Sequence, residues 1–194
     1  MFNLNAKEEY KNFRWFFTSE GKLVIGGKSD EQNEIAIRNF LKPDYVIMHT
    51  SAPGSSFMII QSEKSSKKDM DETAIFTGCF SKQWKKGNQK IDIDIFKGSQ
   101  IYKDKSMKTG TFGVQGIKKT IKIKPELVIV IQKGRLRAVP KTTIEKKLAE
   151  IKPGKLSKEE AGERVGKILR NKFHLLVHKE EIMSAIPSDK LDVK

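Results

Sequence analysis

His49 closes an apolar run, YVIMH at 45–49, and is followed by TSAPGSS, in which Pro53 and Gly54 shape a tight turn and Ser51, Ser55 and Ser56 supply hydroxyls. A histidine beside serines is the material of nucleophilic catalysis. No GxSxG elbow and no orienting carboxylate accompanies this one, so its expected use is hydrogen bonding within the turn or to a bound RNA. A second candidate is KTGTFGVQGIKK at 108–119, with Gly110, Gly113 and Gly116 at every third position and lysines at both ends. Glycines without Cβ atoms let backbone N–H groups approach a phosphate, while Lys108, Lys118 and Lys119 add charge. The segment lacks the Gly-Lys-Ser/Thr of a nucleotide P-loop, and a bulged hairpin would use the same glycines equally well.

Period-two alternation in TIKIK places Thr120, Lys122 and Lys124 on one strand face, and in RLRAV it projects Arg135 and Arg137 together. If those two strands are neighbours, one sheet face presents a grid of cations suited to phosphates. Asp92 and Asp94 share a strand face about 7 Å apart; without a third oxygen cluster they are expected to be solvated or paired with lysines rather than to hold a metal. His174 and His178, four apart, could share a helix face but have no companion ligand for zinc. Cys79 is expected to be a buried, inert thiol. Trp84, among Lys82, Lys85 and Lys86, suits either base stacking or packing, with packing favoured by the spacing of Phe76, Phe80 and Trp84.

These side chains must be held by elements that the pattern also suggests. FRWFFT and KLVI around Ser-Glu-Gly read as a hairpin, and Ser29 with Gln32 reads as a capping box opening a helix that Pro43 ends. YVIMH and FMII read as strands, and one buried helix is expected across DMDETAIFTGCFSKQW. IDIDIF, TIKIK and RLRAV alternate as half-buried strands do, while ELVIVI is apolar throughout, as in a strand covered on both faces. From about residue 141 the chain reads as helical, with a break at Pro153-Gly154 and an amphipathic helix over 157–170. The expected fold is α+β: a mixed, largely antiparallel sheet with packed helices over 1–140, and a helical C-terminal extension over 141–194.

Charge narrows the function. The 194 residues carry a net +14, distributed as 0 over residues 1–62, +12 over 63–147 and +2 over 148–194. Such concentration is the footprint of a polyanion-binding surface. One cysteine excludes an internal disulfide and a CxxC zinc framework and fits a reducing cytoplasm. No apolar run is long enough to span a bilayer, and no export signal is apparent.

Four ordered segments, FRWFFTSEGKLVIGGKSDEQNE at 13–34, YVIMHTSAPGSSF at 45–57, AIFTGCFSKQW at 74–84 and MKTGTFGVQG at 107–116, resemble the NFACT-R domain. That is the RNA-binding domain of the NFACT proteins of ribosome-associated quality control. The resemblance covers residues 10–140. It places the family's hairpin on Trp15 to Gly27, its Gly-Gly-basic-Asp on Gly26, Gly27, Lys28 and Asp30, its strand-end histidine on His49, its turn on Gly54 to Ser56 and its Thr-Gly-small-Phe on Thr109 to Phe112. The N-terminal NFACT domain, helix-hairpin-helix segments and coiled coil of the full proteins have no counterpart in these residues, so a stand-alone module is expected.

The reading is therefore a non-enzymatic module that binds tRNA or ribosomal RNA, in the neighbourhood of the large ribosomal subunit, without a cofactor or metal. Its expected contact residues are His49, Gly54, Ser55, Lys108, Thr109, Gly110, Lys118, Lys119, Lys122, Lys124, Arg135 and Arg137. Two alternatives stand beside it: an enzyme or accessory factor in tRNA modification that uses His49 and the Pro53–Ser56 turn, and an adaptor that docks a protein through the C-terminal helices.

Overall fold

The structure, a computed structural model, describes residues 6–116, 119–143 and 146–194. After a 3-10 turn at Ala6–Asn12 come β1 (Arg14–Phe17), β2 (Leu23–Gly26), α1 (Asp30–Phe40), β3 (Val46–Thr50), β4 (Met58–Ile60), α2 (Lys67–Cys79) and α3 (Lys82–Lys85). There follow β5 (Ile91–Lys97), β6 (Ile101–Tyr102), β7 (Gly113–Val114), β8 (Lys119–Ile123), β9 (Leu127–Gln132) and β10 (Arg135–Pro140). The chain ends with β11 (Ala149–Leu156), α4 (Lys158–Phe173), α5 (Lys179–Ala185) and β12 (Leu191–Val193). The class is α+β, as expected, with all named strand pairs antiparallel.

A six-stranded sheet runs β1-β2-β4-β3-β5-β8, and a four-stranded sheet runs β10-β9-β11-β12. One face of the large sheet packs Ile25, Ile47, Ile59 and Phe96 beneath α1. Its other face packs Phe16, Val24, Met48 and Ile93 against Ala74 and Phe76 of α2 and against Val128, Val130 and Val139. The alternate residues of β9 and β10, Leu127, Ile129, Leu136 and Ala138, face a further cluster with α4 and α5. β9 is thus apolar on both faces because both are covered. Gln132 joins the two sheets at the β1 edge: its side-chain amide accepts from Phe17 N–H and donates to Phe17 C=O, each at 2.8 Å. This copies the exchange a neighbouring strand would make. Thr18 and Ser19 of the first hairpin are tied to Asp69 and Glu72 of α2, which fixes that hairpin over the helix.

Three expectations are corrected. The helix expected across 69–84 ends at Cys79, because Ser81 caps a new one: its hydroxyl donates to Gly78 C=O and accepts from Gln83 N–H. Phe76 and Phe80 still touch, with ring centroids 4.7 Å apart, but Trp84 lies in α3 and packs into the α4–α5 cluster. The segment after 141 is not helical throughout: β11 lies between β9 and β12, and Pro153-Gly154 sits at a bulge in it rather than at a helix break. His174 is the left-handed C-cap of α4 and His178 the N-cap of α5, so they do not share a helix face.

Candidate nucleic-acid interface

β8 and β10 are not neighbours. β8 is the far edge of the six-stranded sheet, while β10 belongs to the other sheet, where Arg137 lies with its guanidinium carbon 4.7 Å from the Trp15 ring centre on β1. Five interstrand spacings separate β1 from β8, or about 24 Å. The single cationic grid expected from TIKIK and RLRAV therefore does not form. The β8 side also has acidic partners: Lys122 lies 3.6 Å from Asp92 and Lys124 2.6 Å from Glu126, and Thr120 donates to Asp94 at 2.7 Å. Lys119 is exposed at the start of that strand, and Lys118 lies outside the described residues.

The glycine-rich segment is likewise occupied by the protein itself. Gly110 N–H donates to Glu34 of α1 at 2.9 Å, and Lys103 holds the same carboxylate at 2.5 Å while donating to the Lys108 and Thr111 carbonyls. Gly113 faces the Tyr102 ring at a distance that leaves no room for a Cβ. Gly110 and Gly113 serve the β6–β7 hairpin and its seat on α1. Lys108 and Thr109 remain exposed at its tip.

In the histidine turn, the His49 ring lies 4.6 Å from Phe57, and Nδ1 lies 2.6 Å from the Thr50 carbonyl, which gives that nitrogen the proton to donate. Ser55 Oγ accepts from Thr50 N–H at 2.9 Å, and Ser51 Oγ donates to Asp94 at 2.6 Å. The hydroxyls hold the turn. Gly54 is required at its far end: φ is +105°, and its carbonyl accepts from Lys82 N–H at 2.8 Å. The turn thereby joins β3 to α3.

That junction opens onto a strongly basic part of the molecule. Two adjoining hollows share Lys28 and Ser184 in their walls. The first, of about 430 Å³, is lined by Arg14 from β1, Lys28, Lys82 and Lys85 from α3, and Lys158 from the start of α4. The second, of about 470 Å³, is lined by Arg135 and Arg137 of β10 and by Lys11, which Glu8 holds at 2.6 Å, with Trp15, His178, Glu180 and Glu181. Apart from Lys11, none of these cations, seven in all, forms an ion pair with a carboxylate among the described residues.

The crowding is visible in their acidities. Burial, aided by the charge of Arg137, lowers Arg14 to about 10. Arg137 is lowered to about 10, first by burial and then by Arg135, with Glu181 opposing. Lys28 is lowered by burial and by both arginines. Lys158 is lowered by burial, Arg14 and Lys85, against Asp189 and Glu159. Each guanidinium is stacked on a ring, Arg14 4.2 Å from the centre of Phe80 and Arg137 on Trp15, and the buried Nε atoms of both have no hydrogen-bond partner. Cations in excess of nearby carboxylates, gathered in concave surface, attract an anion strongly, because the low local dielectric magnifies each interaction.

Of the expected contact residues, Gly54, Arg135 and Arg137 line this crevice and Ser55 adjoins it. His49 sits at the other end of the turn, and Lys108, Thr109, Gly110, Lys119, Lys122 and Lys124 lie elsewhere. Arg14, Lys28, Lys82, Lys85 and Lys158 were not singled out as contacts. Arg14 carried a signal, as a cation inside the aromatic run FRWFF, Lys28 another, as the basic residue of the Gly-Gly-basic-Asp segment, and Lys82 and Lys85 a third, as the basic neighbours of Trp84; that these meet Lys158 is encoded in no local pattern. Trp84 is fully buried, which removes base stacking, and burial also raises the Cys79 thiol well above its ordinary value, as an inert thiol requires.

An α+β scaffold presenting a crevice with an excess of cations is suited to a polyanion. The family is settled by comparison: residues 12–116 match the model described as NFACT protein RNA binding domain, and the chain belongs to that family, whose members include ribosome quality control proteins. It is 32% identical over 113 residues to the archaeal Rqc2 homolog aRqcH of Methanocaldococcus jannaschii, covering 55% of this chain and 17% of that protein. It is 30% identical over 78 residues to the human ribosome quality control complex subunit NEMF, covering 39% of this chain and 7% of that protein. The chain thus spans a small fraction of these relatives. The C-terminal part of the fibronectin/fibrinogen-binding protein from Streptococcus suis shares the fold, with a TM-score of 0.54 and 19% identity over 58% of this chain and 45% of that one.

Proposed function

We propose that this chain is a non-catalytic RNA-binding module, acting in the cytoplasm on tRNA or ribosomal RNA near the large ribosomal subunit, and that the basic crevice receives the phosphate backbone. The observation that carries this reading is the set of seven cations, drawn from β1, the β2–α1 turn, α3, β10 and α4, that converge without carboxylate pairing. Membership of a family described by RNA binding gives the anion its class. Phosphate contacts of this kind supply affinity with little sequence preference. The serines and histidine of the turn make hydrogen bonds that shape it, and no helix among the described residues is long and apolar enough to cross a membrane.

The test is direct binding of tRNA and of ribosomal RNA fragments, by fluorescence anisotropy, from 50 to 200 mM salt. Affinity is expected to fall steeply across that range for every RNA tried. A dissociation constant that stays flat with salt, or an absence of binding, overturns the proposal.

A further inference from the structure

The two hollows of the crevice are electrostatically unequal. The one between Gly54 and Lys158 is lined by Arg14, Lys28, Lys82, Lys85 and Lys158 and by no carboxylate, whereas its neighbour sets Arg135 and Arg137 beside Glu180 and Glu181. Arg14 and Phe80 both line the first, with the guanidinium 4.2 Å from the ring centre and its buried Nε a donor without a partner. Five cations exceed what one internal phosphodiester, with a single negative charge, would neutralise. An internal phosphodiester is moreover substituted on two oxygens by ribose, which limits how many of the five cations its remaining oxygens can reach. A terminal phosphate monoester is free on one side, offers three acceptor oxygens and carries about −1.5 to −2 charges at neutral pH.

We propose that the hollow floored by Arg14 is a seat for a terminal phosphate monoester of RNA, from which the strand runs past Lys28 into the hollow lined by Arg135 and Arg137. This rests on the RNA-binding reading and adds to it a preference for a phosphorylated end. Arg14 meets the phosphate through charge-assisted hydrogen bonds, Lys28, Lys82, Lys85 and Lys158 surround it, and the second negative charge offsets the burial and mutual repulsion of Arg14, Lys28 and Lys158.

The experiment uses the whole chain and one short single-stranded RNA prepared in three forms, with a 5′-phosphate, with a 3′-phosphate and with hydroxyls at both ends, and reads anisotropy at fixed ionic strength. One phosphorylated form is expected to bind at least fivefold more tightly than the unphosphorylated one, and which form does so assigns the end. Lys85→Ala with Lys158→Ala should reduce that preference to less than twofold, and Arg135→Ala should weaken all three forms by a similar factor and keep the preference. Equal, salt-sensitive binding of the three forms overturns the end seat and leaves the RNA reading standing. A preference that survives the double substitution overturns the assignment to this hollow. Failure of all three forms to bind removes both.

Discussion

Removing positive charge from the crevice and from the β8 edge should give opposite results, although the sequence alone treats the two as equivalent. Lys28, Lys85 and Arg135 are exposed, as are Lys119, Lys122 and Lys124, so alanine at any of them should change stability by less than about 0.5 kcal/mol, apart from the small surface pairs of Lys122 and Lys124. For single-stranded RNA each neutralised phosphate contributes about 0.7 to the slope of log affinity against log salt. Seven engaged cations give a slope near −5, and affinity then falls about a thousandfold between 50 and 200 mM salt. The triple substitution Lys28→Ala, Lys85→Ala, Arg135→Ala removes about 2 from the slope, so the same salt change costs roughly fiftyfold. The triple substitution Lys119→Ala, Lys122→Ala, Lys124→Ala should leave the slope unchanged, since about 24 Å of sheet separates β8 from β1 and the Debye length at 0.1 M is about 10 Å. The assay is anisotropy with a labelled RNA at several salt concentrations. If the β8 triple flattens the slope as much as the crevice triple does, the crevice is not the interface and the argument from unpaired convergent cations fails.

Trp84→Ala should destabilise the chain by roughly 3–5 kcal/mol in chemical denaturation, since a fully buried indole leaves a large cavity, whereas Trp84→Phe should keep the wild-type RNA affinity; a selective loss of affinity would restore the stacking role. A fragment ending at residue 140 lacks β11, α4, α5 and β12 and uncovers Leu127, Ile129, Leu136 and Ala138, so it should bind a hydrophobic dye and lose its cooperative thermal transition; a sharp transition would show that the first 140 residues are an independent domain. Cys79 should resist a thiol reagent in the native protein and react at full rate only on unfolding. Because burial raises its folded pKa, the native state keeps a proton that the unfolded thiol gives up above about 8.5, so this group lowers stability as pH rises beyond that value. A native-state reaction rate equal to that of a free thiol would contradict the burial.

The local pattern of the chain was sufficient wherever one period or one cap decides an element. The alternation in FRWFFT and KLVI, the serine ahead of Asp30 and the uninterrupted ELVIVI each specify a strand, a helix start or a doubly covered strand through contacts made within a few residues, and the same local order carries the NFACT-R resemblance. The net +12 over residues 63–147 announced a polyanion partner, because charge is a property of composition. Which cations act together was decided only by the tertiary structure. β8 and β10 look alike as sequence yet lie in different sheets, because pairing partners are chosen by long-range packing rather than by strand composition. Arg14 and Lys158 are 144 positions apart in the chain and meet only because β11 inserts beside β9 and brings the start of α4 to the mouth of the first hairpin's groove. Glu34 could not be read as the partner of Gly110, nor Asp92 of Lys122, until the fold placed them within reach, and those pairings occupy Lys122 and the glycine-rich tip, whereas the seven cations of the crevice form no ion pair among the described residues.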